Sequence, residues 1–144
     1  MEYNNLVVEM LVGLPGSGKT TYALSKVNDN HVRVNKDDLR KEFPTYNEDK
    51  IIEIEEQRIL EAIRNGKNVI LDNTHLNKHH ILRIKKLIKG KAKLVLNTSF
   101  LNVPISECIL RDSKRDPSKR VGENVIIEMW EKHKRDWDYV IRNN

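Results

Sequence analysis

Short apolar runs alternate with longer amphipathic segments along the chain. This alternation is typical of a parallel sheet covered by helices. The apolar runs predict five short strands, at residues 6–12, 32–35, 69–71, 94–96 and 139–141. The pattern therefore predicts an α/β domain in three layers, built on a parallel sheet of about five strands.

The amphipathic segments predict the helices that cover this sheet. The clearest spans residues 47–65. Asn47 can cap its first turn, Gly66 can end it, and its shared apolar face is predicted at Ile52, Ile59 and Ile63. Four further helices are predicted, at residues 19–27, 77–90, 104–115 and 122–135. Within the last of them we expect Trp130, and just beyond it Trp137, to pack in the core or between helices rather than to stack on bases.

One charged residue, Glu9, interrupts the first apolar run. Parallel strands are usually buried on both faces, and a buried carboxylate is costly without a partner. We therefore expect Glu9 either to occupy a less buried position or to meet a Lys or Arg side chain.

Composition narrows the class of protein. The chain has 144 residues and a formal charge of +5, so we expect one domain over residues 1–144. Cys108 is the only cysteine, which excludes an intrachain disulfide and a disulfide-rich secreted scaffold. No apolar stretch approaches the ~18 residues of a membrane helix, and the N-terminus lacks the features of a signal peptide. These observations predict a cytoplasmic protein without a membrane partner.

The first strand runs into a phosphate-binding motif. Residues 13–20, with the sequence GLPGSGKT, satisfy the P-loop pattern G-x-x-x-x-G-K-[ST] between a strand and a helix. Its glycines let the backbone N–H groups approach phosphates closely, and the following helix N-terminus favours negative charge. Lys19 can bridge the β- and γ-phosphates, and the Thr20 hydroxyl can bind Mg²⁺. The nucleotide-binding residues predicted are Gly13, Pro15, Gly16, Ser17, Gly18, Lys19, Thr20 and Thr21.

A second polar cluster, NKDDLR at residues 35–40, follows the second predicted strand. Ligands collect beyond the carboxyl ends of parallel strands, so this cluster should face the P-loop. A carboxylate here can accept the proton of an attacking hydroxyl, and Arg40 can hold an anionic group of the acceptor. Equally, Asp37 and Asp38 favour a helix start through the helix dipole alone.

A third cluster, LDNTHLN at residues 71–77, ends the third predicted strand. Asp72 occupies the position at which a P-loop enzyme places its second carboxylate for organising the metal. The alternative is that this segment only caps the next helix, through Asn77.

A fourth cluster, residues 111–120, contains five basic and two acidic residues. Arg111 and Arg115 lie four positions apart and share one face of a helix, so that both can close over nucleotide phosphates. A solvated basic loop is the commoner meaning of such a run. The same two explanations stand for residues 78–93, with seven Lys or Arg and no acidic residue: a rim for further phosphates, or the outer face of a helix.

The strings GLPGSGKT, NKDDLR, LDNTHLN and RDSKR, in this order, resemble the kinase domain of the phage-type 5′-polynucleotide kinases. The resemblance spans residues 6–127. It implies a P-loop kinase fold with a helical lid, and transfer of the γ-phosphate of ATP to a 5′-hydroxyl of DNA or RNA in the presence of Mg²⁺.

The resemblance also implies roles for individual residues. Asp37 would be the general base and Arg40 would bind the phosphate of the acceptor. Arg115 would reach the donor phosphates from the lid, with Arg111 in support. On the donor side, Lys19 and Thr20 would serve ATP and Mg²⁺, and Asp72 and Thr74 would organise the acceptor and the surroundings of the metal.

The chain departs from the family at Lys36, where Arg is expected, and at His75. Two other functions stay open on the sequence. One is a P-loop kinase for a small metabolite or nucleoside, since the fold does not determine the acceptor. The other is a nucleotide-gated nucleic-acid-binding module without transfer activity. The choice between DNA and RNA also stays open.

Overall fold

In a computed structural model of the chain, residues 5–73 and 77–142 are described, with side chains up to residue 137. Four parallel strands form the sheet in the order β2-β3-β1-β4. They are β1 (Val7–Leu11), β2 (His31–Val34), β3 (Asn68–Leu71) and β4 (Lys93–Asn97). The chain leaves β1 towards one side of the sheet and later crosses to β4 on the other, so the loop after β1 lies at the point where the strand order reverses. Ligands of open α/β sheets bind at this point.

Six α-helices connect and cover these strands in the described part of the chain. They are α1 (Lys19–Lys26), α2 (Lys36–Glu42), α3 (Glu48–Arg64), α4 (Lys78–Ile88), α5 (Ile105–Ser113) and α6 (Glu123–Arg142). Asparagine side chains cap α2, α3 and α4, and the sequence predicts the caps of α3 and α4. Asn47 accepts a hydrogen bond from the Lys50 amide, and Asn77 accepts one from the His79 amide. The seven-residue α2, capped by Asn35, gives the NKDDLR segment its conformation.

The two faces of the sheet bury different amounts of apolar surface. Val8 and Met10 point to the larger cluster, where α3, α4 and α6 contribute fully buried isoleucines such as Ile59, Ile84 and Ile126. Leu11 points to the opposite face and packs in a small cluster under α1. Because side chains alternate along a strand, residue 9 shares the face of Leu11.

This alternation explains how β1 accommodates a charged residue at position 9. Its carboxylate accepts hydrogen bonds from the Tyr22 hydroxyl at 2.7 Å and from the Asn97 side-chain amide at 2.9 Å. Burial, together with the neighbouring Glu9 carboxylate, raises the pKa of Tyr22 to about 12. Glu9 is only partly buried, as one expectation held, but its partners are a tyrosine and an asparagine rather than a Lys or Arg.

The predicted fifth strand is wrong, because residues 139–141 belong to α6. A run of three apolar residues does not distinguish a strand from the end of an amphipathic helix. In α6 the positions that face the core continue at helical spacing through the partly buried Trp130 and Trp137, whose rings meet edge to face at 6.2 Å between centroids. Both indoles pack against the main core, as the sequence predicts. No helix among the described residues is long and apolar enough to cross a membrane.

Candidate active site

The P-loop connects β1 to α1 and lies against α5. Gly16 and Gly18 have positive φ angles of 84° and 101°, which side chains rarely adopt. A Cβ atom on Gly16 would lie 2.3 Å from the carbonyl oxygen of Cys108, so the loop requires glycine there for close packing as well as for conformation. Ser17 is buried and its amide donates to the Leu14 carbonyl. The loop is therefore held in place from beneath.

Lys19 is buried at the first position of α1, with 7% of its surface exposed. Its ammonium donates to the Leu14 carbonyl oxygen at 2.8 Å and lies 3.5 Å from the Ser17 hydroxyl. Burial lowers the pKa of Lys19 to about 8, and the Asp72 carboxylate partly opposes this effect. A buried cation with neutral hydrogen-bond partners favours an anionic ligand, which a phosphate supplies.

A cavity of about 460 Å³ opens in front of Lys19, at the carboxyl ends of β1, β2 and β3. It brings together seven residues that sequence analysis selected from four separate clusters: Pro15, Lys19, Thr20, Asp37, Arg40, Asp72 and Arg115. Eight residues without an individual role predicted from sequence also line it: Asn35, Lys36, Glu48, Asn73, His80, Lys119, Val121 and Met129. Burial lowers the pKa of His80, and the nearby Lys36 and Arg83 lower it further.

On one side of this cavity, α2 and the start of α3 form an ionic cluster. One terminal nitrogen of Arg40, Nη1, donates to the Asp37 carboxylate at 2.5 Å. The other two guanidinium nitrogens of Arg40 donate to both oxygens of Glu48, at 2.8 and 3.2 Å. These contacts raise the pKa of Arg40 and lower that of Glu48. Asp37 itself is largely in solvent, with 77% of its side chain exposed.

Asp72 forms the floor of the cavity and is 2% exposed. Both Nε and Nη2 of Arg33 donate to its Oδ2 oxygen, at 2.9 and 2.8 Å, and Nη1 of Arg33 reaches Asp38 at 2.6 Å. The paired guanidinium stabilises a carboxylate that would be costly to bury alone. Arg33 is not predictable from the sequence, because its place in β2 beside β3 depends on strand pairing.

A hydrogen-bond chain behind the cavity connects three elements. Asn73 accepts from the Lys36 amide at 2.9 Å and donates to Glu55 at 2.9 Å, and Arg83 of α4 donates to the other oxygen of Glu55 at 2.6 Å. Glu55 is 1% exposed. The sequence contained a signal for it, since Glu55 falls midway between Ile51 and Ile59 on one buried face of α3.

The arginines of the fourth cluster lie on and beside α5. Arg111 pairs with Glu107 and approaches the Gly16 carbonyl at 3.5 Å. Arg115 lies 3.5 Å from the buried Asp112, whose carboxylate accepts from the amides of Val121 and Gly122 at 2.9 Å. Asp112 thereby links the end of α5 to the start of α6.

A second cavity, of about 570 Å³, lies on the other side of the P-loop. Its lining includes five of the residues predicted to contact the nucleotide, of which the last also lines the main cavity: Gly16, Gly18, Thr21, Arg111 and Arg115. Arg115 therefore borders both cavities. Gly13 packs against Phe100 beneath the loop, and Thr74 and His75 lie outside the described residues.

The basic stretch at 78–93 lies mainly on α4. Its apolar residues Ile81, Ile84 and Ile88 are buried, whereas Lys85 and Lys86 are exposed. Neither lysine lines the two cavities described above. For these lysines the structure favours the outer helix face over a rim for phosphates.

The fold and this site define a P-loop kinase-like domain. The family model of the AAA domain matches residues 8–138, and the chain belongs to that family. The P-loop kinase fold predicted from sequence is thereby confirmed, with four strands in the described sheet instead of five.

Two solved structures resemble the chain closely. A chain of the Pnkp1/Rnl/Hen1 RNA repair complex is 26% identical with a TM-score of 0.79, covering 98% of this chain and 47% of that one. A chain of another structure of the Pnkp1/Rnl/Hen1 complex is 28% identical with a TM-score of 0.65, covering 75% of this chain and 40% of that one. This chain thus spans less than half of each. No curated protein matches the sequence. These likenesses confirm the resemblance that the motifs predict.

Proposed function

We propose that the protein transfers the γ-phosphate of ATP to the 5′-hydroxyl of DNA or RNA. The observation that carries this proposal is the shared cavity of Lys19 and Asp37. A buried cation suited to a phosphate and an exposed carboxylate suited to a hydroxyl proton face the same space. Phosphoryl transfer needs this pairing of donor and acceptor groups.

On the donor side, the residues fit ATP and Mg²⁺. The buried ammonium of Lys19 has neutral partners and can neutralise the transferred phosphate. Mg²⁺ usually binds through one or two carboxylates, substrate phosphates and water. Thr20 and Asp72, which line the same cavity, would hold it there. Among the described residues there is no group of three or more His, Cys, Asp or Glu side chains that could hold a metal ion. Bound Mg²⁺ would neutralise charge on the phosphates.

On the acceptor side, Asp37 would accept the proton of the attacking hydroxyl. The contact with Nη1 of Arg40 orients the Asp37 carboxylate, and Arg40 would also bind a phosphate of the acceptor. Asp72, held by Arg33, would organise the acceptor side together with Thr74. Arg115, which borders both cavities, would neutralise charge that develops on the transferred group, with Arg111 in support.

The structural likeness to a chain of an RNA repair complex supports a nucleic-acid acceptor over a small metabolite. Transfer from labelled ATP tests this choice directly. The acceptors offered are 5′-hydroxyl oligonucleotides of DNA or RNA and, for comparison, a panel of nucleosides and sugars. We expect the oligonucleotides to be phosphorylated. Phosphorylation of the small acceptors alone would refute a polynucleotide kinase. Binding of ATP and oligonucleotide without any transfer would indicate a nucleotide-gated binding module instead.

The variant Asp37→Asn tests the role of the carboxylate. Loss of a general base should lower kcat by about 10²- to 10⁴-fold, while the affinity for ATP stays unchanged because the role proposed for Asp37 is on the acceptor side. Asp49→Asn is the matched control, since Asp49 is an exposed carboxylate in the first turn of α3 that does not line the cavity. Equal activity of the Asp37 variant and the control would contradict the assignment.

A further inference from the structure

The Glu48 carboxylate binds the two cations on the acceptor side of the cavity. It accepts from Nη2 and Nε of Arg40, at 2.8 and 3.2 Å, and lies 3.6 Å from the ammonium of Lys36. Both oxygens of one carboxylate therefore face one edge of the guanidinium. The third nitrogen of Arg40 is held by Asp37.

The edge of Arg40 formed by Nε and Nη2 has the geometry with which arginine binds phosphate as well as carboxylate. A phosphate cannot use this edge while Glu48 occupies it. Lys36 adds a second positive charge beside the Glu48 oxygen that accepts from Nη2 of Arg40. The Lys36 side chain is only 11% exposed, so the position of its ammonium is restricted. Arg40 and Lys36 thus form an anion site that a carboxylate of the chain itself fills.

The Glu48 carboxylate can leave this site at low cost. Its side chain is 52% exposed, so the carboxylate regains water when it is released. Exposed ion pairs contribute little to stability, because solvent screens them and both side chains lose freedom. Lys36 is more restricted than the carboxylate that covers it, and Arg40, with 43% of its side chain exposed, is held from its other end by Asp37.

The helix dipole offers a simpler reason for an acidic residue at position 48, the first residue of α3. It does not explain the two-pronged contact with Arg40, which lies on a different helix. The start of α3 is already secured by Asn47, whose side chain accepts from the Lys50 amide at 2.9 Å.

We propose that Glu48 determines acceptor specificity by occupying the site of an acceptor phosphate, which must displace it from Arg40 and Lys36. The group that displaces Glu48 is a phosphate attached to the sugar that carries the reacting 5′-hydroxyl, as in a nucleoside 3′-phosphate or a polynucleotide. This proposal rests on the proposed function, since it takes the Arg40 side of the cavity as the acceptor side.

The variant Glu48→Gln tests the proposal, because it keeps the side-chain shape and removes the competing charge. The KM values for adenosine and adenosine 3′-monophosphate are measured in the full chain, with ATP as donor. The ratio of the first KM to the second should rise about fivefold, the size expected when an exposed ion pair no longer has to be broken. Glu42→Gln is the matched control: Glu42 also joins α2 to α3, through Arg58, with 50% of its side chain exposed, and does not line the cavity.

An unchanged ratio in Glu48→Gln would overturn the proposal, as would a fall in kcat/KM for the phosphate-bearing acceptor, which would mean that Glu48 only orients Arg40. If the unmodified protein phosphorylates neither these acceptors nor a 5′-hydroxyl oligonucleotide, the proposed function fails separately. Calorimetric binding of adenosine 3′-monophosphate then decides the role of Glu48. Tighter binding to Glu48→Gln than to the unmodified protein supports displacement, and equal binding refutes it.

Discussion

Lys19 should destabilise the protein whenever the phosphate site lacks an anion. The side chain is 7% exposed, and burial lowers its pKa from 10.5 to about 8. Between these two values the unfolded chain holds a proton on this group that the folded chain has lost. The free energy of unfolding therefore rises with pH across this window, and the cost of the buried charge is fully present below pH 8. The difference between the two pKa values corresponds to about 3 kcal/mol in the free energy of unfolding.

Replacement of Lys19 by methionine removes this titration and keeps an unbranched side chain of similar length. Between pH 7 and pH 10 the unmodified protein should gain about 2 kcal/mol of stability relative to Lys19→Met. Denaturant unfolding without nucleotide, at several pH values, measures the difference. Lys41→Met, at an exposed position of α2, provides the control and should follow the unmodified protein.

The comparison across pH isolates the buried charge. At any single pH, Lys19→Met also removes the hydrogen bond to the Leu14 carbonyl. The neutral amine above pH 8 can still donate this bond, so its loss varies less with pH than the loss of the charge. Parallel stability curves for the unmodified protein and Lys19→Met would refute the reasoning. ATP should abolish the destabilisation in the unmodified protein and have no such effect on the variant, because the bound phosphates supply the missing anion.

Three further predictions concern the supports of the site. Gly16→Ala should destabilise the protein by about 3 kcal/mol or more in thermal unfolding, since the new Cβ meets the Cys108 carbonyl. The control Gly66→Ala should cost only about 1 kcal/mol, because Gly66 also has a positive φ, of 73°, but has open space around it. Similar losses would contradict the packing argument. Asp112→Asn should cost about 2 kcal/mol at pH 7. Burial raises the pKa of Asp112, but its backbone N–H partners hold this pKa below its ordinary value. The stability that the carboxylate contributes is therefore lost as pH falls through the folded pKa. The free energy of unfolding of the variant should fall less steeply with decreasing pH than that of the unmodified protein. Arg33→Met should cost about 3 kcal/mol by leaving Asp72 buried and unpaired, and adding Asp72→Asn should recover part of it; an undiminished loss would count against the pair.

The strands and the P-loop could be predicted from sequence because their signals are local. Four apolar runs correspond to the four described strands, and the glycine pattern with its Lys and Thr occurs within eight consecutive residues. Residues 139–141 were predicted wrongly for the same reason. Three apolar residues satisfy either period, and only the packing of α6 along the core decides between them.

The ionic partners of the site could not be predicted in this way. Arg33 reaches Asp72 across 39 positions, and Arg83 reaches Glu55 across 28. Such pairs exist only once strand order and helix packing bring distant segments together. Glu55 is the exception for which a signal existed, since a carboxylate on the buried stripe of α3 requires a partner even though the stripe does not name it.

The two sides of the main cavity differ in how far the fold pre-organises their side chains before a ligand binds. Lys19 and Asp72 are 7% and 2% exposed, and each is held by hydrogen bonds within the fold. The carboxylate of Asp37, in contrast, has 77% of its side chain in solvent. A general base in bulk water stabilises little charge, because solvent screens it. For Asp37 to act as proposed, the acceptor must itself exclude water from this side. Substitutions in the ionic cluster of α2 and α3 should therefore alter acceptor binding, whereas substitutions at Lys19 and Asp72 should alter nucleotide binding and folding even when no acceptor is present.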